Sequence, residues 1–228
     1  VSQRAFFVAH SRNGKYVAVL CRVSTATQNS PQVTFGPSAY RVAVYDTDSW
    51  QLVHTFDAPP SNPYLPNAMA ISDTGVVALA ANSNGVRVVD AVAQTELAVL
   101  TFQGPSVTYM GQSMMPVLEF SPDGAYLFVA RVSWGIATFS TTNWTRDVDT
   151  VLEATFYDPT DPEDTGYMRS PTNGVKFNPA GDAVYFYGPE HGLRGKSWPA
   201  LTTLTLPVLG AASTLTDLGF SANGQTLY

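Results

Sequence analysis

This sequence predicts an all-β chain made of one four-stranded antiparallel sheet repeated along its length, and three observations predict it. A hairpin signature returns five times: an apolar run, then Ser or Asn, two variable residues, Gly and a second apolar run. Each of the first four copies is followed by two further strand-like runs. No segment keeps the 3.6-residue apolar period of an amphipathic helix beyond a turn or two.

The copies are 5–20 (AFFVAHSRNGKYVAVL), 68–81 (AMAISDTGVVALAA), 116–130 (PVLEFSPDGAYLFVA), 174–187 (GVKFNPAGDAVYFY) and 217–228 (DLGFSANGQTLY). They centre on Gly14, Gly75, Gly124, Gly181 and Gly224. Gly at this place accepts the positive φ of a tight turn, which a Cβ opposes, and Pro122 and Pro179 pre-set φ two residues earlier. The two extra runs are 41–46 and 51–56, 86–90 and 96–102, 135–140 and 149–156, and a weaker 192–198 and 201–207. Four strands in a repeat of roughly 50 residues is the arithmetic of a β-propeller blade. The blades fall at 1–58, 64–103, 114–157, 173–207 and, as a partial fifth, 214–228. Strands a to c of each blade are nearly continuous in Val, Ala, Leu and Phe, as expected where both faces of a sheet are covered. Four blades and the start of a fifth fit part of a larger ring of about seven blades. A five-bladed ring completed by the N-terminal residues, or closure by another chain, would cover the blade faces equally well.

The 228 residues are 45% hydrophobic and only 13% charged, against a usual charged share of about 25%. A surface so poor in charge is built from Ser, Thr, Asn, Gln and Gly, as in extracellular and virion proteins. With 12 basic against 18 acidic residues, the net charge of -6 leaves no electrostatic footprint for nucleic acid or an anionic membrane. Cys21 stands alone, so neither an internal disulfide nor a cysteine zinc site can form. No apolar run approaches the length of a membrane span, and no signal peptide opens the chain.

The FSPDG-type turn followed by a strand, and an apolar run ending in Asp46 or Asp90, resemble the WD-repeat superfamily of propellers over almost the whole chain. The Gly-His dipeptide of that superfamily is missing, and Tyr45-Asp46, Val89-Asp90 and Phe139-Ser140 stand in place of Trp-Asp. The turn between strands c and d, in 44–53 (VYDTDSWQLV), 139–147 (FSTTNWTRD) and more loosely 195–201 (GKSWPAL), looks like propeller repeats in structural proteins of tailed bacteriophages. That resemblance implies a virion component acting by attachment, without cofactor or metal. Its partners would be other virion proteins or a host-surface receptor, within a homo- or hetero-oligomeric assembly. Trp50, Trp144 and Trp198 are expected at equivalent places, each covering a blade edge while its N–H meets a turn carbonyl.

In a four-stranded blade the a–b and c–d turns share one end, and the variable b–c and d–a connections share the other. The variable segments are 22–40, 57–67, 103–115 and 158–174, and loops on a rigid scaffold are where binding residues are placed. Tyr64, Tyr109, Met110, Met114, Tyr167, Met168 and Arg169 are the expected partner-binding residues, because Tyr, Met and Arg are enriched in interface cores. Asp158, Asp161, Glu163 and Asp164 crowd one loop, which reads as solvated carboxylates, with calcium as the rival reading.

His10 aligns with Ile71, Phe120, Phe177 and Phe220 and is expected to be a hydrogen-bonded core residue; His54 lies on strand d of the first blade and His191 in a Gly-rich loop. Glu119 and Lys176 hold matching positions in consecutive blades and are expected to form a structural ion pair. Asn143-Trp144-Thr145 fits the N-glycosylation pattern, which one tripeptide satisfies readily by chance. No nucleophile elbow, phosphate-binding loop or paired-histidine zinc motif is present. The expected function is therefore a non-catalytic structural or interaction propeller of a bacteriophage virion. A lactonase-like propeller enzyme using Glu119, Arg131, Asn173 and Glu190 is the first alternative, and a bacterial scaffold propeller the second.

Overall fold

The structure is a computed structural model of the 228-residue chain. It describes residues 2–24, 39–58, 69–82, 85–101, 108–109, 112–113, 117–131, 135–150, 174–188, 192–206, 218–221 and 226–227. Among these residues every regular element is a β-strand. Sheet I is an antiparallel meander of β1 (Ser2–His10), β2 (Tyr16–Ser24), β3 (Ala39–Asp46) and β4 (Leu52–Asp57). Sheet II repeats it with β5 (Met69–Ile71), β6 (Val76–Asn82), β7 (Gly85–Asp90) and β8 (Thr95–Thr101). A short ribbon follows, β9 (Thr108–Tyr109) paired with β10 (Gln112–Ser113). Sheet III comprises β11 (Val117–Phe120), β12 (Tyr126–Arg131), β13 (Gly135–Ser140) and β14 (Arg146–Thr150). Sheet IV comprises β15 (Gly174–Phe177), β16 (Ala183–Gly188) and β17 (Gly192–Ser197). Two compact units make up the chain, Val1–Gln103 with sheets I and II and Gly104–Tyr228 with sheets III and IV. The sheets are propeller-like in their repeated four-stranded meander.

The expected fourth strand at 201–207 is reduced to one bridge, Lys196 to Thr203, with the Leu204 N–H donating to the Gly195 carbonyl. Gly195 presents no side chain here, and the tips of Leu204 and Leu206 lie 3.3 and 3.4 Å from where its Cβ would be. The edge strand therefore packs more than it pairs. Among the described residues of the fifth copy, Phe220 bridges Leu227.

Each a–b hairpin is held by the residue that opens its turn. Ser11 donates its N–H to the Tyr16 carbonyl at 2.9 Å, and its hydroxyl accepts the Tyr16 N–H at 2.9 Å. Ser121 does the same with Tyr126, Asn178 with Ala183 and Ser221 with Thr226. In the second copy the turn is one residue shorter, and Ser72 closes on Val76. One short polar side chain thus satisfies the backbone donor at the first residue of strand b in all five copies. The glycines supply the backbone shape, with φ of 73° at Gly14, 87° at Gly75, 70° at Gly124 and 77° at Gly181. Gly224 lies outside the described residues.

The second turn is tied to the first. The N–H following strand c donates to the a–b turn: Thr47 to the Lys15 carbonyl, Ala91 to Gly75, Thr141 to Ala125 and Trp198 to Asp182. The Thr47 and Thr141 hydroxyls add bonds to the carbonyls of Gly14 and Gly124. Both turns therefore share one end of each sheet, as expected. The residue entering strand d has a left-handed backbone: Trp50 (φ 54°), Gln94 (58°), Trp144 (57°) and Leu201 (56°). Trp198 does not belong to this set, because Leu201 holds the equivalent place. A β-bulge just before the turn recurs at Val44/Tyr45, Val88/Val89 and Thr138/Phe139.

Within each unit two sheets pack face to face. Tyr16, Ala18, Leu20, Tyr40, Val42, Val44 and Phe56 of sheet I meet Met69, Ile71, Val77, Leu79, Val89 and Ala91 of sheet II. In the second unit Phe128 and Ala130 meet Val175, Phe177, Val184 and Phe186, with Val117, Trp198 and Leu201 packed around them. Trp198 is thus part of a core, with its ring edge-on to Tyr126, Phe128 and Phe177 at 5.3 to 5.9 Å. The faces match by register: Tyr16 and Tyr126 begin strand b, and Ile71 and Phe177 end strand a. Burial of these apolar faces is the main favourable contribution to the fold.

Thr138 is fully buried on β13, and its hydroxyl has no hydrogen-bond partner among the described residues. Val44 and Val88 hold the same place in sheets I and II. Thr138→Val keeps the shape and removes the orphaned group, so it is expected to raise unfolding free energy by about 1 to 2 kcal/mol in urea titrations. The turn glycines differ in a testable way. A Cβ on Gly14 meets nothing within 4 Å, whereas on Gly75 it would lie 2.9 Å from Val92 Cγ2 and 3.5 Å from the Tyr16 ring. Gly14→Ala is expected to cost about 1 kcal/mol for its left-handed backbone, and Gly75→Ala about 3 kcal/mol because overpacking is added. Equal losses in thermal unfolding would contradict the close approach at Gly75.

Candidate functional site

Of the residues expected to bind a partner, Tyr64, Met110, Met114, Tyr167, Met168 and Arg169 lie outside the described residues. Tyr109 is placed by its backbone alone, in β9 opposite Gln112. The acidic run Asp158, Asp161, Glu163 and Asp164 also lies outside, as do Asn173, Glu190 and His191. Among the described residues no group of three or more His, Cys, Asp or Glu side chains converges as a metal site would require. No helix among them is long and apolar enough to cross a membrane.

His10 departs from expectation. It is exposed, and its Nδ1 lies 3.0 Å from the Ser11 carbonyl. Its strand position is equivalent to that of the buried Ile71 and Phe177, but the face of sheet I that carries it is open. His54 is half-buried on β4 and stacks on Phe56 with ring centroids 5.9 Å apart. The expected Glu119–Lys176 pair is present, with Nζ 3.7 Å from Oε2. Their side chains are 28% and 42% exposed, so water screens the pair and its net contribution is no more than about 1 kcal/mol.

The turn end of the sheets is the best-defined surface. Asp46 anchors the first c–d turn by accepting the Ser49 N–H and hydroxyl, both at 2.9 Å. These bonds, the backbone donor first, hold the Asp46 carboxyl below its ordinary pKa, with Lys15 adding a smaller attraction. Asp90 anchors the second by accepting the N–H groups of Val92 and Ala93. In the third, Asn143 Oδ1 accepts the N–H and hydroxyl of Thr145. In the a–b turn of sheet III, the Ser121 hydroxyl donates to Asp123 at 2.5 Å and lowers that carboxyl's pKa against the opposing effect of burial.

On this rigid end the Trp50 side chain is turned outward, and the residue is 69% exposed. The expectation that it covers a blade edge is therefore overturned, whereas Leu201, with the same left-handed backbone, packs against the core of the second unit. Leu52, Val92, Leu97 and Val99 are also exposed, on the c–d turns and outermost strands of sheets I and II. Arg87 knits these strands together: it pairs with Glu96, donates to the Asp57 carbonyl at 2.7 Å and lies over the Phe56 ring at 5.6 Å. Arg41 pairs with Asp57 at 3.0 Å beside it. Most of the large exposed apolar side chains among the described residues lie at the turns and outer edge of the first unit, with Val8 on β1 and Leu227 elsewhere. The Trp at 50 was the sequence signal for this surface. Its left-handed φ is shared by Gln94, Trp144 and Leu201 and belongs to the turn, which composition does not reveal. No family model matches the chain, and no curated protein is similar enough to count as a relative.

The Asp123 carboxylate gives a pH signature. Its folded pKa lies below the unfolded value of about 3.9, so its contribution is fully present above that value and is lost as pH falls through the folded pKa. Urea midpoints measured from about pH 5 down to about pH 2 are expected to fall more steeply for the native chain than for Asp123→Asn. Ser121→Ala should flatten the same limb and cost about 1 to 2 kcal/mol at neutral pH by orphaning the Tyr126 N–H. Ser121→Asn should retain most of that stability, since Asn178 closes its own turn in this way.

Proposed function

We propose that the chain is a non-catalytic interaction propeller, a structural protein of a tailed-bacteriophage virion. Its sheets act as blades that hold a binding rim rigid against another virion subunit or a host-surface receptor. The observation that carries this reading is Trp50, an indole 69% exposed on a residue whose backbone is left-handed (φ 54°). The same backbone recurs at Gln94, Trp144 and Leu201, so the turn does not require Trp, and the fold gains little packing from an indole this exposed. Tryptophan is also among the residues that dominate binding energy at interfaces.

The setting rests on the Tyr-Asp-Thr-x-x-Trp turn, which resembles phage propeller repeats, and on a surface with few charges. The hydrogen bonds of Asp46 and Thr47 explain two of that motif's residues as structural, and leave the Trp as the one that faces outward. Protein attachment is thus supported by an exposed group on a stiff support.

Two measurements test this proposal. Mass spectra of purified particles of the phage encoding the chain should contain its peptides. The recombinant chain should bind those particles, or their host cells, and Trp50→Ser should weaken binding at least tenfold with no loss of thermal stability. Particles devoid of the chain would refute the virion setting, and unchanged binding by Trp50→Ser would refute the rim.

A further inference from the structure

In the described a–b turns of sheets II, III and IV the turn glycine follows Thr74, Asp123 or Ala180, whereas in sheet I it follows Asn13. Asn84, Asn173 and Asn223 also precede glycine, but they lie outside the described residues. An asparagine amide followed by glycine is chemically labile, because the next backbone nitrogen can reach the side-chain carbonyl carbon and no Cβ hinders it. Asn13 and Gly14 are exposed, and a Cβ built on Gly14 meets nothing within 4 Å, so water has access to the reacting atoms. Asn13 Oδ1 accepts the Ser11 hydroxyl at 2.8 Å and the Lys15 N–H at 2.9 Å. Both donors draw charge from Cγ and stabilise the oxyanion that forms when a nucleophile adds there.

The same turn is a junction within the first unit. The Asn13 N–H donates to Asp73 Oδ1 at 2.8 Å, and Asn13 Nδ2 donates to the Asp73 carbonyl at 3.4 Å, which ties the a–b turn of sheet I to that of sheet II. The Gly14 and Lys15 carbonyls accept the Thr47 hydroxyl, and the Lys15 carbonyl also accepts the Thr47 N–H. The c–d turn that carries Trp50 therefore hangs on the residues next to Asn13.

We infer that Asn13 is a site of spontaneous deamidation, and that its conversion loosens both the tie to sheet II and the turn that carries Trp50. The Gly14 N–H donates to the Ser11 carbonyl at 3.0 Å, so reaction waits on local opening of that one bond and not on unfolding of the chain. Hydroxide then takes the Gly14 N–H proton, the nitrogen bonds to Asn13 Cγ, and the Cγ–Nδ2 bond breaks, the amide leaving as ammonia with a proton from water. Water opens the resulting five-membered imide at either carbonyl, and nothing is oxidised or reduced. One product is aspartate at position 13. Its carboxylate fits the turn, since Asp123 accepts the Ser121 hydroxyl and the Ala125 N–H at the equivalent place. It no longer donates to the Asp73 carbonyl, however, and it sets a second negative charge beside the Asp73 carboxylate. The other product routes the backbone through Cγ, which lengthens it by one methylene and displaces the Gly14 carbonyl from the Thr47 hydroxyl. The inference uses the chain's own chemistry and is independent of the virion setting.

Ageing the full chain at mildly alkaline pH, with peptide mass spectrometry and isoaspartyl methyltransferase labelling, tests it. Asn143 is the internal control, because it is exposed and its Oδ1 also accepts two donors, but Trp144 follows it. Asn13 should convert at least tenfold faster than Asn143, and Gly14→Ala should slow it at least tenfold while circular dichroism shows the chain folded. Asn13→Asp should lower the melting temperature at neutral pH, and most of that loss should vanish in an Asp73→Asn background. Amide exchange at Thr47 should be at least tenfold faster in the isoaspartyl chain than in the fresh one. Equal rates at Asn13 and Asn143, or a rate indifferent to Gly14→Ala, would overturn the site. An Asn13→Asp chain as stable as the native one, or unaltered exchange at Thr47, would overturn its consequence.

Discussion

The backbone N–H at the start of every second strand must find an acceptor where the chain has just reversed, and a Ser or Asn side chain five residues back, or four in the shorter turn, provides it. This one bond fixes the length of the a–b turn, and with it the register of strands a and b. Since side chains alternate between faces along a strand, a slip of one residue would exchange the two faces of the sheet. The correct faces can meet only because the turn length is set. The second turn inherits its position, since the residue after strand c donates to the carbonyls of the first.

Stacking follows from that register. Sheets I and II use large and small apolar residues in one arrangement, and sheets III and IV use another, with small and large exchanged on strand b of sheet III and phenylalanine more frequent. Ala18 and Leu20 in sheet I correspond to Phe128 and Ala130 in sheet III, and Ile71 and Leu79 correspond to Phe177 and Phe186. The stacking positions are kept across each junction, whereas the residues that fill them are not. This is how close packing is kept through a divergent repeat.

The repeat was legible because Gly at positive φ and the short polar residue before it are chemically demanding, and few other residues substitute for them. Strand d was less legible. The run 201–207 has the composition of a strand, but its partner strand carries Gly195, and leucine side chains filling that gap replace much of the ladder. Trp198 was misplaced for a related reason. A tryptophan near the end of strand c resembles Trp50 and Trp144 in sequence, yet its offset from Ser197 puts it in the core and gives the turn position to Leu201. His10 was misplaced because alignment identifies an equivalent position and not whether that position is covered. The candidate site was legible only at Trp50, and not its exposure, since Trp144 with the same bulge and left-handed backbone is half-buried. The expected loop residues Tyr64, Met110, Met114, Tyr167, Met168 and Arg169 fall outside the described residues, and Tyr109 is placed by its backbone alone.

The left-handed residue of the second turn is occupied by Trp, Gln, Trp and Leu in the four sheets, while φ varies by only a few degrees. The hairpin's conformation there is imposed by bonds on either side and does not depend on the residue in between. A single codon at that point can exchange an indole for an amide or an isobutyl group without reshaping the scaffold. The repeat therefore separates foldability from adhesive chemistry, and lineages carrying it can acquire new surface preferences one substitution at a time.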